Sequence, residues 1–128
     1  VPARLALVRL AWRRVDGLPL VRLPQADPQA MTEGDLMENI RTMTCYLRLW
    51  AFHDHDSRRS WGPGYPDLTL CGPGGVLFRE VKGTGGVLSA DQKGWLRALK
   101  AAGADAALWT PLDWDCGRIE RELRALAG

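Results

Sequence analysis

Two short apolar runs that carry four charged residues, Asp67, Arg79, Glu80 and Lys82, constrain this chain more than any other feature. The first is Gly64-Tyr65-Pro66-Asp67-Leu68-Thr69-Leu70 and the second is Val76-Leu77-Phe78-Arg79-Glu80-Val81-Lys82. Cys71-Gly72-Pro73-Gly74-Gly75 joins them as a hairpin-like connection. Successive strand residues point to opposite faces, so Glu80 and Lys82 share one face and Val81 takes the other. An acid and a lysine are costly to bury in such a run unless they have partners or a task. That cost marks Asp67, Glu80 and Lys82 as candidate functional residues.

The chain divides by composition. In residues 1–30, Val, Pro, Ala, Arg and Leu make up 24 of the 30 positions, and Pro2, Pro19, Pro24 and Pro28 interrupt any periodicity. This stretch is expected to be an N-terminal extension of unknown role. Residues 31–128 are expected to form one self-contained domain with a core of its own. The extension carries five Arg against two Asp, whereas 31–128 carry twelve Lys and Arg against thirteen Asp and Glu. Bulk charge therefore does not make the domain a basic glove for nucleic acid. Phosphate binding must come from local patches or from a metal.

An apolar content of 46% with 25% charged residues is that of a soluble globular protein. No apolar run approaches the roughly 18 residues that span a bilayer. Arg4, Arg9, Arg13 and Arg14 break up any signal-peptide core. Cys45, Cys71 and Cys116 are an odd, widely spaced set with no C-x-x-C pair. They predict free thiols in a reducing compartment, and hence a cytoplasmic, membrane-free location.

Thr32 is a good N-cap, with Glu33 and Asp35 in the first turn, and Leu36, Ile40, Met43 and Leu47 form a stripe at helical spacing. Trp50-Ala51-Phe52 predicts a short strand. A polar segment follows, His53-Asp54-His55-Asp56-Ser57-Arg58-Arg59-Ser60, ahead of the two opening strands. Ser89-Ala90-Asp91-Gln92 matches a capping box and starts a second helix, which Gly103 stops. Ala106 to Trp109 predicts a buried strand that Pro111 ends. A last helix is expected over about Cys116 to Leu126, burying Ile119, Leu123 and Leu126. The order helix, strand, strand, strand, helix, strand, helix predicts an α/β sandwich around a mixed sheet.

A strand-borne Asp followed a dozen residues later by Glu-x-Lys suits metal-dependent cleavage of a phosphodiester. Asp67 and Glu80 offer hard oxygen ligands to Mg²⁺ or Mn²⁺, and the Val81 carbonyl is a candidate third. Lys82 would orient or help deprotonate the attacking water and offset phosphate charge.

With these residues in view, the chain resembles the VRR-NUC family within the PD-(D/E)XK nuclease superfamily. Pro66-Asp67 and Glu80-Val81-Lys82 stand as its core motif. His53 through Ser60 with Gly64-Tyr65-Pro66-Asp67 resembles the family's "H-x-x-D-S-R-R-S … G-[FY]-P-D" run. Leu88-Ser89-Ala90-Asp91-Gln92 with Trp95 resembles its "L-[ST]-x-x-Q-x-x-W" helix start. Ala102-Gly103 and Trp109-x-Pro111-x-Asp113-Trp114 resemble its C-terminal end. The likeness covers about 31–128, the length of small stand-alone phage and bacterial members. It implies a restriction-endonuclease-like α/β/α sandwich with Asp67, Glu80 and Lys82 as the catalytic core. Gln92 is implied as an auxiliary catalytic residue and Glu33 as the helix acid that completes the metal site, with Glu38 as second choice. Two departures stand out. Arg48 occupies the place where glycine usually joins first helix to first strand, and Arg79 precedes Glu80 where a small or apolar residue is usual.

The resemblance further implies a metal-dependent endonuclease acting on branched, flapped or nicked DNA as a homodimer. Ser57, Arg58, Arg59 and Ser60 are candidate phosphate contacts, and Tyr65 and Trp61 are candidates for stacking on bases. Each has a plainer reading: a solvated loop for 57–60, packing for the aromatics, capping for Gln92, helix-end stabilisation for Glu33. His53-Asp54-His55-Asp56 lacks the third histidine and the spacing of a histidine-metal motif. A non-catalytic DNA-binding or assembly module, or a ribonuclease using the same residues, are the alternative functions.

Overall fold

In the computed structural model, the described residues are 30–55 and 61–128. Ser57, Arg58, Arg59 and Ser60, and nearly all of the N-terminal extension, lie outside them.

Helix α1 spans Glu33–Tyr46 and buries Leu36, Ile40 and Thr44. Thr32 caps it: its Oγ1 accepts from the Asp35 amide at 3.0 Å, and the Asp35 carboxylate accepts from the Thr32 amide. The helix ends in a Schellman turn. The Arg48 amide donates to the Cys45 carbonyl at 3.1 Å and the Leu49 amide to the Thr44 carbonyl at 3.0 Å. Arg48 has a φ of 59°, in the left-handed region. The backbone conformation that favours glycine here is thus kept, with arginine in glycine's place.

Four strands follow: β1 (Trp50–His53), β2 (Leu68–Gly72), β3 (Gly75–Val81) and β4 (Asp105–Trp109). They lie in the order β1-β2-β3-β4, with antiparallel β1–β2 and β2–β3 pairs and a parallel β3–β4 pair. The sheet is therefore mixed, as the element order predicts. Helix α2 (Ala90–Ala101) makes the crossover that a parallel pair needs. The end of the chain differs in detail from the expected single helix. Pro111 does not merely close β4; it opens a short helix, α3 (Pro111–Asp115). Proline's fixed φ and missing N–H suit that first position. Helix α4 then runs from Arg118 to Ala127.

Strand alternation sorts the sheet's two faces. Leu68, Leu70, Leu77 and Val81 point to the face where Leu36 and Ile40 of α1 meet Ile119, Leu123 and Leu126 of α4. Phe78 and Ala106 point to the other, where Tyr65 meets Trp95 of α2 edge-on at 5.0 Å. Arg79 is explained by this alternation. It faces away from Glu80, is 2% exposed, and is held by Asp105 Oδ1 at 2.9 Å and Glu122 Oε1 at 3.0 Å. Its guanidinium also lies 5.2 Å from the centre of the Trp109 ring. The second departure from the family pattern is therefore a buried ion-pair anchor for α4, on the face opposite the candidate site.

Candidate active site

One end of the sheet gathers the charged residues. β2 begins where β3 ends, because the two are antiparallel. Their register pairs Leu68 with Arg79, so one further step sets Asp67 opposite Glu80. Like charges across a strand pair repel. Part of that repulsion is relieved by an amide: Asp67 Oδ2 accepts from the Val81 N–H at 2.8 Å.

Glu80 is 1% exposed. Burial, and then the adjacent Asp67 carboxylate, push its pKa up to about 8, while Lys82 pulls it back. Lys82 Nζ lies 3.6 Å from Glu80 Oε2. The same oxygen accepts from Gln92 Nε2 at 3.0 Å. The other oxygen, Glu80 Oε1, is buried and has no hydrogen-bond partner among the described residues. An orphaned carboxylate oxygen this deep calls for a proton or a cation.

Gln92 reaches Glu80 because of how α2 starts. Ser89 Oγ accepts from the Gln92 amide at 3.1 Å, and the Ser89 amide donates to Gln92 Oε1 at 2.9 Å. One side chain therefore makes both the capping bond and the bond to Glu80. Upstream, Gly64 lets the chain pass close to α2. It has a φ of +87°, and a Cβ there would sit 2.6 Å from Asp91.

Glu33 is brought in by the loop after β3. The Thr84 amide donates to the Met31 carbonyl at 2.9 Å, and Thr84 Oγ1 donates to the same oxygen at 3.0 Å. Gly83 packs so tightly on the start of α1 that a Cβ would collide with the Glu33 amide. The Glu33 carboxyl has a raised pKa, through burial and then through Asp67, with Lys82 acting in the opposite direction. Glu38 lies on the exposed side of α1 and pairs with Arg41 at 3.6 Å. Of the two helix acids, Glu33 is the one that senses the candidate centre.

His53, which opens the motif-like polar run but has no site role assigned to it there, ends β1 beside this cluster. The Asp54 amide donates to the Asp67 carbonyl at 2.9 Å, which ties the two strand ends together. Burial, and then the neighbouring His55, lower the His53 pKa, with Asp67 and Asp54 opposing. The His53 and His55 rings lie 4.1 Å apart. Tyr65 is drawn into packing: its hydroxyl is 2.9 Å from Thr69 Oγ1 and its ring meets Trp95 and Phe78 edge-on. Trp61 is fully exposed.

Among the described residues, no three His, Cys, Asp or Glu side chains group closely enough to cage a metal ion. Mg²⁺ does not need a cage: it is commonly held by one or two carboxylates, with waters and substrate phosphate completing its shell. Asp67 and Glu80, all-oxygen donors with one buried oxygen unpartnered, fit such a cation. No helix among the described residues is long and apolar enough to cross a membrane.

Comparison with known proteins identifies the family and the fold. The VRR-NUC domain family matches residues 19–110. That span takes in the whole sheet and begins ahead of Met31. A solved structure described as a VRR_NUC domain protein is 21% identical, with a TM-score of 0.54 over 74% of this chain and 90% of that one. At that identity the likeness concerns the fold. The chain matches no curated protein.

Proposed function

Because this chain belongs to the VRR-NUC domain family, a nuclease-type family, we propose that it is a divalent-metal-dependent endonuclease of the PD-(D/E)XK type, with a restriction-endonuclease-like sandwich. Its substrate is DNA, cut at branched, flapped or nicked sites by a homodimer in the cytoplasm. The observation that carries this reading is the convergence of Asp67, Glu80, Lys82 and Gln92 at one sheet end, with a buried Glu80 oxygen left without a partner.

Asp67 and Glu80 would hold Mg²⁺ or Mn²⁺, with the Val81 carbonyl as a backbone ligand and Glu33, which does not close a cage with them, reaching the shell through a water. The bound cation supplies a water of lowered pKa and neutralises charge growing on the phosphate. The chain's residues do the rest. The Val81 amide fixes one Asp67 oxygen, which sets the direction of the carboxylate's other oxygen. Gln92 holds Glu80 Oε2 and so orients Oε1. Lys82 Nζ, adjacent to that carboxylate, positions the attacking water and holds or accepts its proton. Ser57, Arg58, Arg59 and Ser60 supply donors for the flanking phosphates, which position DNA without reading its sequence. Trp61, exposed next to that stretch, takes the stacking role in preference to the packed Tyr65. Two sites related by a two-fold axis would span a branched duplex.

The test is nicking of supercoiled plasmid and of a synthetic four-way junction with Mg²⁺, comparing the parent with Lys82→Ala. Cleavage that needs the divalent ion and disappears in Lys82→Ala is the expected result. Cleavage that persists in EDTA, or survives in Lys82→Ala, would overturn the reading.

A further inference from the structure

A groove runs along the flank of α1, from Glu33 at the catalytic cluster toward Thr44 and Ala51. Its wide part, about 540 Å³, starts at Glu33 and is bordered by Glu38, Arg41, His53 and His55. It leads to a smaller hollow of about 130 Å³ with Ile40, Leu68 and Leu70 as its floor and Ala51 at its rim. Met37, Arg41 and His53 border both spaces, so they form one continuous groove. Apart from Glu33, no lining residue takes part in the chemistry described above.

We propose that the hollow receives the base of one unpaired nucleotide adjacent to the scissile phosphate, flanked by His53 and Arg41. This rests on the nuclease reading and names the substrate feature the site selects. Location is the first argument. His53 ends β1 where the Asp54 amide is bonded to the Asp67 carbonyl, so the wide mouth of the groove opens beside the catalytic strand ends and the hollow lies just beyond it along β1 and β2. Size is the second: about 130 Å³ suits a single ring system and not a stacked base pair.

Chemistry is the third. An apolar floor of Ile40 and Leu70 suits the face of a base, and planar imidazole and guanidinium groups stack on bases and donate to their edges. The Arg41 side chain is 72% exposed, and its ion pair to the equally exposed Glu38 is long at 3.6 Å. Such a pair yields readily to a ligand. Glu38 at the wide end disfavours a phosphate backbone, so a neutral base enters the groove in preference to the strand's charged edge. A base that is already unpaired avoids the few kcal/mol needed to unstack a paired one. The groove thereby favours branched, bulged or flapped DNA over continuous duplex.

The experiment is fluorescence anisotropy with a labelled duplex carrying one unpaired nucleotide, against the same duplex fully paired. It is run with Mg²⁺ in the Lys82→Ala protein, so that the DNA stays whole. Ala51→Phe fills the hollow from its exposed rim, and Arg41→Ala removes one flanking group at an exposed helix position. Preference for the bulged duplex is expected to be about tenfold, the scale of one stacked base. Ala51→Phe should abolish that preference while leaving affinity for paired duplex unchanged, and Arg41→Ala should lower it at an unchanged melting temperature. Equal affinity for both duplexes, or a preference that survives Ala51→Phe, overturns the proposal. Selective binding by a protein that never cleaves would keep the groove and remove the nuclease reading. Cleavage of DNA without selectivity would do the reverse.

Discussion

Gln92 donates Nε2–H to Glu80 Oε2 at 3.0 Å while its Oε1 accepts from the Ser89 amide at 2.9 Å. One amide group thus starts α2 and steadies the candidate metal ligand. The two jobs need different atoms, so they are separable. Gln92→Ala removes both. It is expected to cost about 1 kcal/mol of stability through the lost cap and to lower cleavage by about ten- to a hundredfold, as loss of a ligand's outer partner does. Gln92→Glu restores the acceptor that the cap needs but not the donor that Glu80 needs. Thermal melts of the two variants should therefore differ, while their plasmid-nicking rates should be similarly low. A fully active Gln92→Ala would reduce this residue to a cap.

Glu80 gives the metal-free protein a characteristic pH dependence. Its folded pKa is raised to about 8 from an ordinary value of 4.5, first by burial and then by Asp67. The folded state therefore binds the proton more tightly than the unfolded chain. Stability owed to this group is full below about pH 4.5 and is lost as pH rises through about 8. Glu80→Gln keeps the shape without the charge. In EDTA at pH 8 it should melt on the order of 5 °C above the parent, with the gap closing at pH 5. Mg²⁺ should raise the melting temperature of the parent and leave that of Glu80→Gln where it was. Differential scanning fluorimetry across pH, with and without Mg²⁺, checks both; parallel curves for the two proteins would exclude the proposed role of Glu80.

Arg79 anchors α4 to β3 in a buried network. Glu122 Oε1 also accepts from Trp109 Nε1 at 2.8 Å, and Glu122 Oε2 accepts from Arg118 Nε at the same distance. Arg79→Leu leaves Glu122 with those partners but deprives the Asp105 carbonyl of its 2.8 Å donor. The expected cost is about 3 kcal/mol. Urea unfolding at pH 7 measures it. Since Arg79 points away from Glu80, cleavage per folded molecule should stay near the parent's.

Local signals made most of this fold legible. Thr32 and Ser89 are capping residues whose partners lie three positions on, so α1 and α2 could be placed from the chain alone. The Asp67 and Glu80-Val81-Lys82 strands were legible for a different reason: charges inside apolar runs need an explanation. What stayed hidden depends on contacts between distant segments. Nothing local says that Gly83 packs on Glu33, or that Asp67 spends an oxygen on the Val81 amide. His53 looked like one of two histidines in a polar run. Only the antiparallel register of β1 on β2 sets it beside Asp67. Helix α3 was hidden because proline after a strand reads equally as a stop and as a first helical residue.

Arg48 offers the last test, because it holds a conformation unsuited to its side chain. Its φ of 59° is fixed by the Schellman turn, whose two hydrogen bonds run from Arg48 to Cys45 and from Leu49 to Thr44. A non-glycine residue in this region costs about 1–2 kcal/mol through Cβ contacts. Glycine removes that cost but gives the unfolded chain more freedom, which returns roughly 0.5–1 kcal/mol. The difference leaves Arg48→Gly more stable by about 1 kcal/mol, or a rise in melting temperature of about 4–8 °C for a domain of this size. Cleavage should not change, since the turn lies at the opposite end of β1 from His53 and Asp67. A destabilised Arg48→Gly would mean that the arginine side chain makes a compensating contact on the protein surface, and Arg48→Asn would then separate backbone strain from that contact, because asparagine tolerates the left-handed region without arginine's reach.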